Sequence, residues 1–285
     1  MKKASDEIME CRDFLENSRI RSEIAIHYSS VSEHNFLSAP ILENFRYRSY
    51  LDKKVYQAFK NCNVDIIDVE HSLDGYKTLI SPFLSAIDGD TADRIRHWIE
   101  DGGIWIVGPM SDIMTDYTAR PTHAPFFFLE ELAGVYTKYQ KPLDSTQFKA
   151  KWKDGKALEL SGCFDAYEPT DSESLAEYDG GEFGGYSVIT QRKVGKGRVI
   201  LVGSILSGAD WLRLAGASPL CESSDSVRVV GRSGKRNGLI AMELDNREGY
   251  VHLTEKYRDL LSGRNLCGRV EMKPYEILVL EKMEK

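Results

Sequence analysis

The residues best placed for chemistry lie in the turn Gly108-Pro109-Met110-Ser111-Asp112, directly after the apolar run Ile104–Val107. A G-x-[Ser/Cys]-x-G turn after a strand holds a nucleophile on a strained elbow. Here Met110 occupies the nucleophile position and Asp112 replaces the second glycine. A thioether has no proton to lose, so nucleophilic catalysis at Met110 fails. Ser111 and His123 are the remaining nucleophile and base. Ser81 closes another apolar run, Lys77–Ser81, just before Pro82, and His27 and Ser29 lie at the end of a strand, Glu23–Tyr28, in which Ile24, Ile26 and Tyr28 alternate. The carboxyl ends of such runs are where α/β sheets bind ligands. Ser81, Ser111 and His123 are therefore the candidate strand-end contacts.

Other reactive residue types form no pattern. Gly195-Lys196-Gly197 lacks the G-x-x-x-x-G-K-[Ser/Thr] spacing of a phosphate loop and fits a hairpin turn. The histidines (His27, His34, His71, His97, His123, His252) show no metal-ligand spacing. The cysteines (Cys11, Cys62, Cys163, Cys221, Cys267) are scattered, odd in number and without a C-x-x-C pair. No cofactor and no metal are expected, and the thiols suit a reducing, cytoplasmic setting.

These residues need a scaffold, and the stretch Tyr76–Gly108 supplies its unit. Lys77–Ser81 reads as a strand stopped by Pro82. Ala92, Ile95, Trp98 and Ile99 recur at helical spacing, with Asp88 or Asp90 to cap the start and Gly102–Gly103 to end it. Ile104–Val107 is apolar throughout, as a strand covered on both faces should be. Strand, crossover helix and strand give parallel pairing. Glu23–Tyr28, Val64–Val69 and Arg198–Val202 complete a parallel sheet, and Glu43–Asn61 reads as a long helix after a polar loop. Ser5–Asn17 reads as a leading helix and Phe126–Gly134 as a short one. The region 135–161 reads as small antiparallel strands, and Ser207–Ala217 as a closing helix. From about Pro219 only short strands remain: Val227–Val230, Leu239–Leu244, Tyr250–Leu253 and Ile277–Leu280. The expected fold is α/β, a mostly parallel three-layer sheet over residues 1–218 with the leading helix in 1–20, then a small all-β domain over 219–285.

Composition excludes some partners. The net charge is −7, and Glu168–Gly185 alone carries six acids and no base, which reads as a solvated loop. Without a basic stripe, nucleic acid is not an expected partner. No run reaches the ~18 apolar residues of a membrane helix. The start, MKKASDEIMECRDFLENS, has no apolar core of a signal peptide. Phe126-Phe127-Phe128 cannot all face one core from one helix, so these residues are the candidate self-association surface.

Several segments in order resemble the C-terminal half of glycoside hydrolase family 42 β-galactosidases: AIHYSS, YKTLISPFLSAI, TADRIRHWIEDGGIWIVGP, FLEELAGV, RKVGKGRVILVGS and YRDLLSGRNLCGRVEMKPYEILVLE. The resemblance implies an α/β trimerisation domain, similar to flavodoxin-like and class I glutamine amidotransferase-like folds, followed by a small β-domain. It implies a homotrimer, and a catalytic barrel as partner if the chain is a fragment. In that family the acid/base and nucleophile glutamates belong to the barrel, so no catalytic residue is assigned here. A retaining glycosidase needs two carboxyl groups about 5–5.5 Å apart, and no motif here fixes such a pair. The expected function is a non-catalytic assembly module; the alternative is a stand-alone amidotransferase-like enzyme or small-ligand binder using the strand ends.

Overall fold

The computed structural model describes residues 7–120, 128–142 and 148–283. The chain divides into two units, residues 23–58 with 64–216, and residues 1–22 with 59–63 and 217–285.

In the first unit the five expected strands pair in parallel. Their spatial order is Val64–Asp68, Ile24–Tyr28, Thr78–Ser81, Ile104–Val107 and Gly197–Val202, a 2-1-3-4-5 order in chain terms. The inner runs lack polar alternation because both faces are covered, and all four residues of Thr78–Ser81 are buried, whereas the edge strand Val64–Asp68 is only partly buried. The crossover helix Gly89–Glu100 starts on Asp88, whose carboxylate accepts the Thr91 N–H at 2.7 Å. It lays Thr91, Ala92, Ile95 and Ile99 inward and ends at Gly102, where φ is +123°. Ile95 and Ile99 join a core with Leu79, Trp105, Val107, Val199 and Leu201.

The sheet is mixed, not mostly parallel. Gly197–Val202 turns back onto Ser187–Val194, which pairs antiparallel with Glu173–Tyr178, and Ala150–Trp152 and Ala157–Leu158 follow in the same sense. Ser161–Pro169 adds Val135–Pro142 and Ser204–Ile205, also antiparallel, giving a 12-stranded sheet. Connection length explains the change. Parallel neighbours need a crossover of a dozen or more residues, whereas short turns join antiparallel ones. Between residues 135 and 207 the links are short.

The acidic stretch is not a free loop. Lys138 pairs with Glu168 at 2.6 Å, Lys141 with Glu182 at 2.7 Å, Lys151 with Asp179 at 2.8 Å, Lys153 with Glu177 and Arg192 with Asp171 each at 2.5 Å. Glu177 lies opposite Lys151 in the ladder, so the Lys151 and Lys153 pairs run diagonally across two strands. These pairs are exposed, and each contributes only about 0–1 kcal/mol; their effect is to hold the register.

Two helical expectations change. Glu43–Asn61 forms only short turns: an α turn Tyr47–Tyr50, a π turn Leu51–Val55 and a 3-10 turn Tyr56–Phe59. The preceding polar segment holds a helix, Ser30–Ser38, capped by Ser29, whose hydroxyl accepts the Ser32 N–H at 3.0 Å. It carries no apolar stripe because its inward residues include Ser32 and Asn35, and Asn35 donates to Ser85 Oγ at 2.9 Å.

The second unit is a seven-stranded antiparallel sheet. It includes a strand, Asn265–Met272, whose alternating exposed residues hid it from the pattern. The leading helix, expected with the first domain, belongs here. Phe14 of the helix Arg12–Glu16 packs with Val279, and Ser18–Arg19 extends the sheet beside Val227–Gly234. Residues 59–63 also join it through Asn61, which accepts from Val229 N at 2.8 Å and donates to Ser223 Oγ at 2.8 Å.

Candidate functional site

Ser81 and His27 sit side by side at the carboxyl ends of adjacent parallel strands, with Ser81 Oγ 2.9 Å from His27 Nδ1. The spacing is that of a nucleophile and its base. Trp105 Nε1 donates to the same hydroxyl at 2.8 Å. An indole nitrogen only donates, so Ser81 accepts from Trp105 and shares a second hydrogen bond with His27 Nδ1, whose direction follows the imidazole tautomer. The other ring nitrogen, His27 Nε2, has no hydrogen-bond partner. Burial lowers the His27 pKa to about 3; Arg94 adds to this and Asp68 opposes it. Ser81 is 0% exposed and His27 1%, so no substrate reaches the pair. It is a core network.

The turn after Ile104–Val107 keeps the shape of an elbow without its chemistry. Met110 and Asp112 have φ of +54° and the facing Phe83 has +52°, all left-handed conformations that side chains rarely adopt. Gly108 allows the approach, since a Cβ there would lie 3.0 Å from Pro82 Cα. Met110 is buried, and its N–H donates to Asp165 Oδ2 at 2.9 Å. Ser111 Oγ donates to the Gly108 carbonyl at 2.9 Å and accepts the Leu84 N–H at 2.9 Å. The Asp112 N–H donates to the Leu84 carbonyl at 2.8 Å. The Ser111 hydroxyl and the N–H groups of Met110 and Asp112 are therefore spent on bonds within the fold, and the space left is about 20 Å³.

His123, Phe126 and Phe127 lie outside the described residues. Phe128 turns inward: its ring centroid is 6.3 Å from that of Trp105, and the Arg96 guanidinium lies 5.2 Å above it. The Gly195-Lys196-Gly197 turn is buttressed by the end of the crossover helix, with Lys196 N–H donating to the Glu100 carbonyl at 2.9 Å. A wider groove of about 800 Å³ is edged by Lys53, Lys54, Lys149 and Lys151 over Leu158 and Leu206. Its acids, Glu159 and Asp179, are not converged on one point by any pairing, and Asp179 is held by Lys151. Among the described residues no group of three or more His, Cys, Asp or Glu is disposed to hold a metal, and all five cysteines are free.

Sequence reading missed the carboxyls buried around the turn: Asp112, Glu130 and Asp165. Asp112 was visible only as a misfit in the elbow motif. Asp165 sits in a strand where a buried charge has no pattern to announce it.

The profile of the family described as "Beta-galactosidase trimerisation domain" matches residues 22–217. β-Galactosidase YesZ of Bacillus licheniformis is 26% identical over 280 residues, 93% of this chain and 42% of that enzyme. β-Galactosidase BglY of Alicyclobacillus acidocaldarius is 28% identical over 237 residues, 77% of this chain and 34% of the enzyme. Among solved structures, a β-galactosidase from Bacillus circulans sp. alkalophilus superposes with a TM-score of 0.84 at 21% identity, over 98% of this chain and 44% of that one. Gan42B, a GH42 β-galactosidase, gives 0.80 at 22% identity, over 93% and 40%. The chain thus spans less than half the length of these relatives. With 22–217 matched, it belongs to the β-galactosidase trimerisation domain family.

Proposed function

We propose that this chain is a non-catalytic assembly and accessory module of a β-galactosidase system, forming a homotrimer through its α/β unit and working beside a catalytic barrel. The observation that carries this is the strand-end site. The one place where an α/β sheet of this kind would bind a ligand is filled by its own Ser81–His27–Trp105 and Ser111–Gly108–Leu84 bonds. The 2-1-3-4-5 order supports a flavodoxin-like core, and positive φ at Met110 supports descent from an amidotransferase-like elbow. With Phe128 directed inward, Phe126 and Phe127 are the proposed interface residues. Five free cysteines agree with a cytoplasmic setting. Among the described residues no helix is long and apolar enough to cross a membrane.

The pure chain is expected to turn over no aryl-β-galactoside. The assay compares release of the chromogenic aglycone with a buffer control at the same pH. Turnover clearly above the control, retained through further purification, would contradict the reading.

A further inference from the structure

Between the Gly108–Asp112 turn, the helix Leu129–Ala133 and the strand Ser161–Pro169 lies the cavity of about 20 Å³, lined by Ser111, Asp112, Glu130, Gln140 and Asp165. That volume accommodates about one water. Asp112 and Asp165 are each 2% exposed. Each is anchored through a single oxygen. Asp112 Oδ2 accepts the N–H groups of Phe128 at 2.8 Å and Leu129 at 2.7 Å. Asp165 Oδ2 accepts the Met110 N–H at 2.9 Å and the Tyr167 hydroxyl at 3.4 Å. The other oxygen of each, Oδ1, has no partner within hydrogen-bond distance, although the Gln140 amide near Asp165 favours its ionised form. Among the described residues no lysine, arginine or histidine lines the cavity. A buried carboxylate without a cation is costly.

We propose that this cavity is an interior proton-binding site in which Asp112 and Asp165 hold a proton taken from solvent. With a carboxyl neutral, its O–H can donate into the cavity, whose volume accommodates about one water. This satisfies oxygens that are otherwise bare. The occupied site ties together three segments: the 108–112 turn, the start of the helix Leu129–Ala133 and the strand Ser161–Pro169.

The groups facing the pair come from every neighbouring element. Glu130 faces Asp112 from the helix and raises its pKa further; Thr137 and Gln140 come from the strand Val135–Pro142. Cys163 and Tyr167 flank Asp165 on its own strand, and the Tyr178 hydroxyl donates to the Asp165 carbonyl at 2.9 Å. None of these is a cation. Burial is the largest influence on both carboxyls and outweighs the hydrogen bonds they accept, which act the other way. Asp112 is pushed up to about 6 and Asp165 to about 7. Both exceed the unfolded value of about 3.8, so the stability they confer is full below about pH 4 and is lost as pH rises through about 6 and 7. His27, held near 3, acts oppositely, adding stability as pH rises toward 6.5. Comparison with variants removes its contribution.

The test is urea unfolding of the full chain against Asp165→Asn and Asp112→Asn between about pH 4.5 and 8. The ratio of wild-type to Asp165→Asn unfolding constants is expected to grow by up to about tenfold per pH unit until about pH 7, then level off. Asp112→Asn should behave likewise, levelling near pH 6. A ratio independent of pH would overturn the proposal. ¹³C carboxyl NMR of the folded wild type gives a reading that needs no variant. An aspartate titrating above about pH 5.5 is expected, and all aspartates titrating below about pH 5 would overturn the proposal.

Discussion

Gly197→Ala is expected to lower the stability of the α/β unit by about 3 kcal/mol, the upper part of the overpacking range. A Cβ at Gly197 would lie 2.1 Å from the Gly103 carbonyl oxygen, 2.3 Å from that of Ile99 and 2.9 Å from Gly103 N. All three are backbone atoms, so no side chain can rotate away. They belong to the end of the crossover helix and the entry to Ile104–Val107, and Gly197 opens the strand that pairs with Ile104–Val107. Room for the alanine must come from parting the hairpin and the helix end. Denaturant midpoints of wild type and variant check this. The same experiment separates two roles for Gly195-Lys196-Gly197. A phosphate cradle would lose anion binding with little loss of stability, and an unchanged midpoint would contradict a packing role for Gly197.

Ser81→Ala is expected to destabilise by about 2–4 kcal/mol. The change strips the partner from the Trp105 indole N–H and from His27 Nδ1 at once. Each buried polar group left bare costs about 1–3 kcal/mol. Trp105 is 0% exposed and His27 1%, so water cannot replace the hydroxyl without opening the core. The loss should accompany a change in Trp105 fluorescence. A variant as stable as wild type would mean that the triad is not a structural network.

How much of this was legible depends on which interactions are local. Thr78–Ser81 and Ile104–Val107 show as apolar runs and Ile24–Tyr28 by alternation, and the crossover helix shows its caps and its 3.6-residue spacing within 12 residues. The elbow turn was identifiable from Gly108 and Met110. Its closure was not. In strands buried on both faces, such as Thr78–Ser81, apolar alternation no longer marks which residue meets solvent. Ser81 therefore read as a strand-end ligand group although it lies in the core. Pairing over distance was also hidden. The bases that neutralise Glu168–Glu182 stand at Lys138, Lys141, Lys151, Lys153 and Arg192, outside the acidic stretch itself. The same holds for the leading helix: its Phe14 finds Val279 at the far end of the chain.

On the proposed assembly role, this chain is expected to form its oligomer by itself. Sedimentation equilibrium of the purified chain at micromolar concentration tests this most directly. An interface that holds at that concentration buries roughly 1,200–2,000 Å² in total. The expected mass is three times the 32.2 kDa of the single chain. A monomer mass across the whole concentration range would contradict the assembly role.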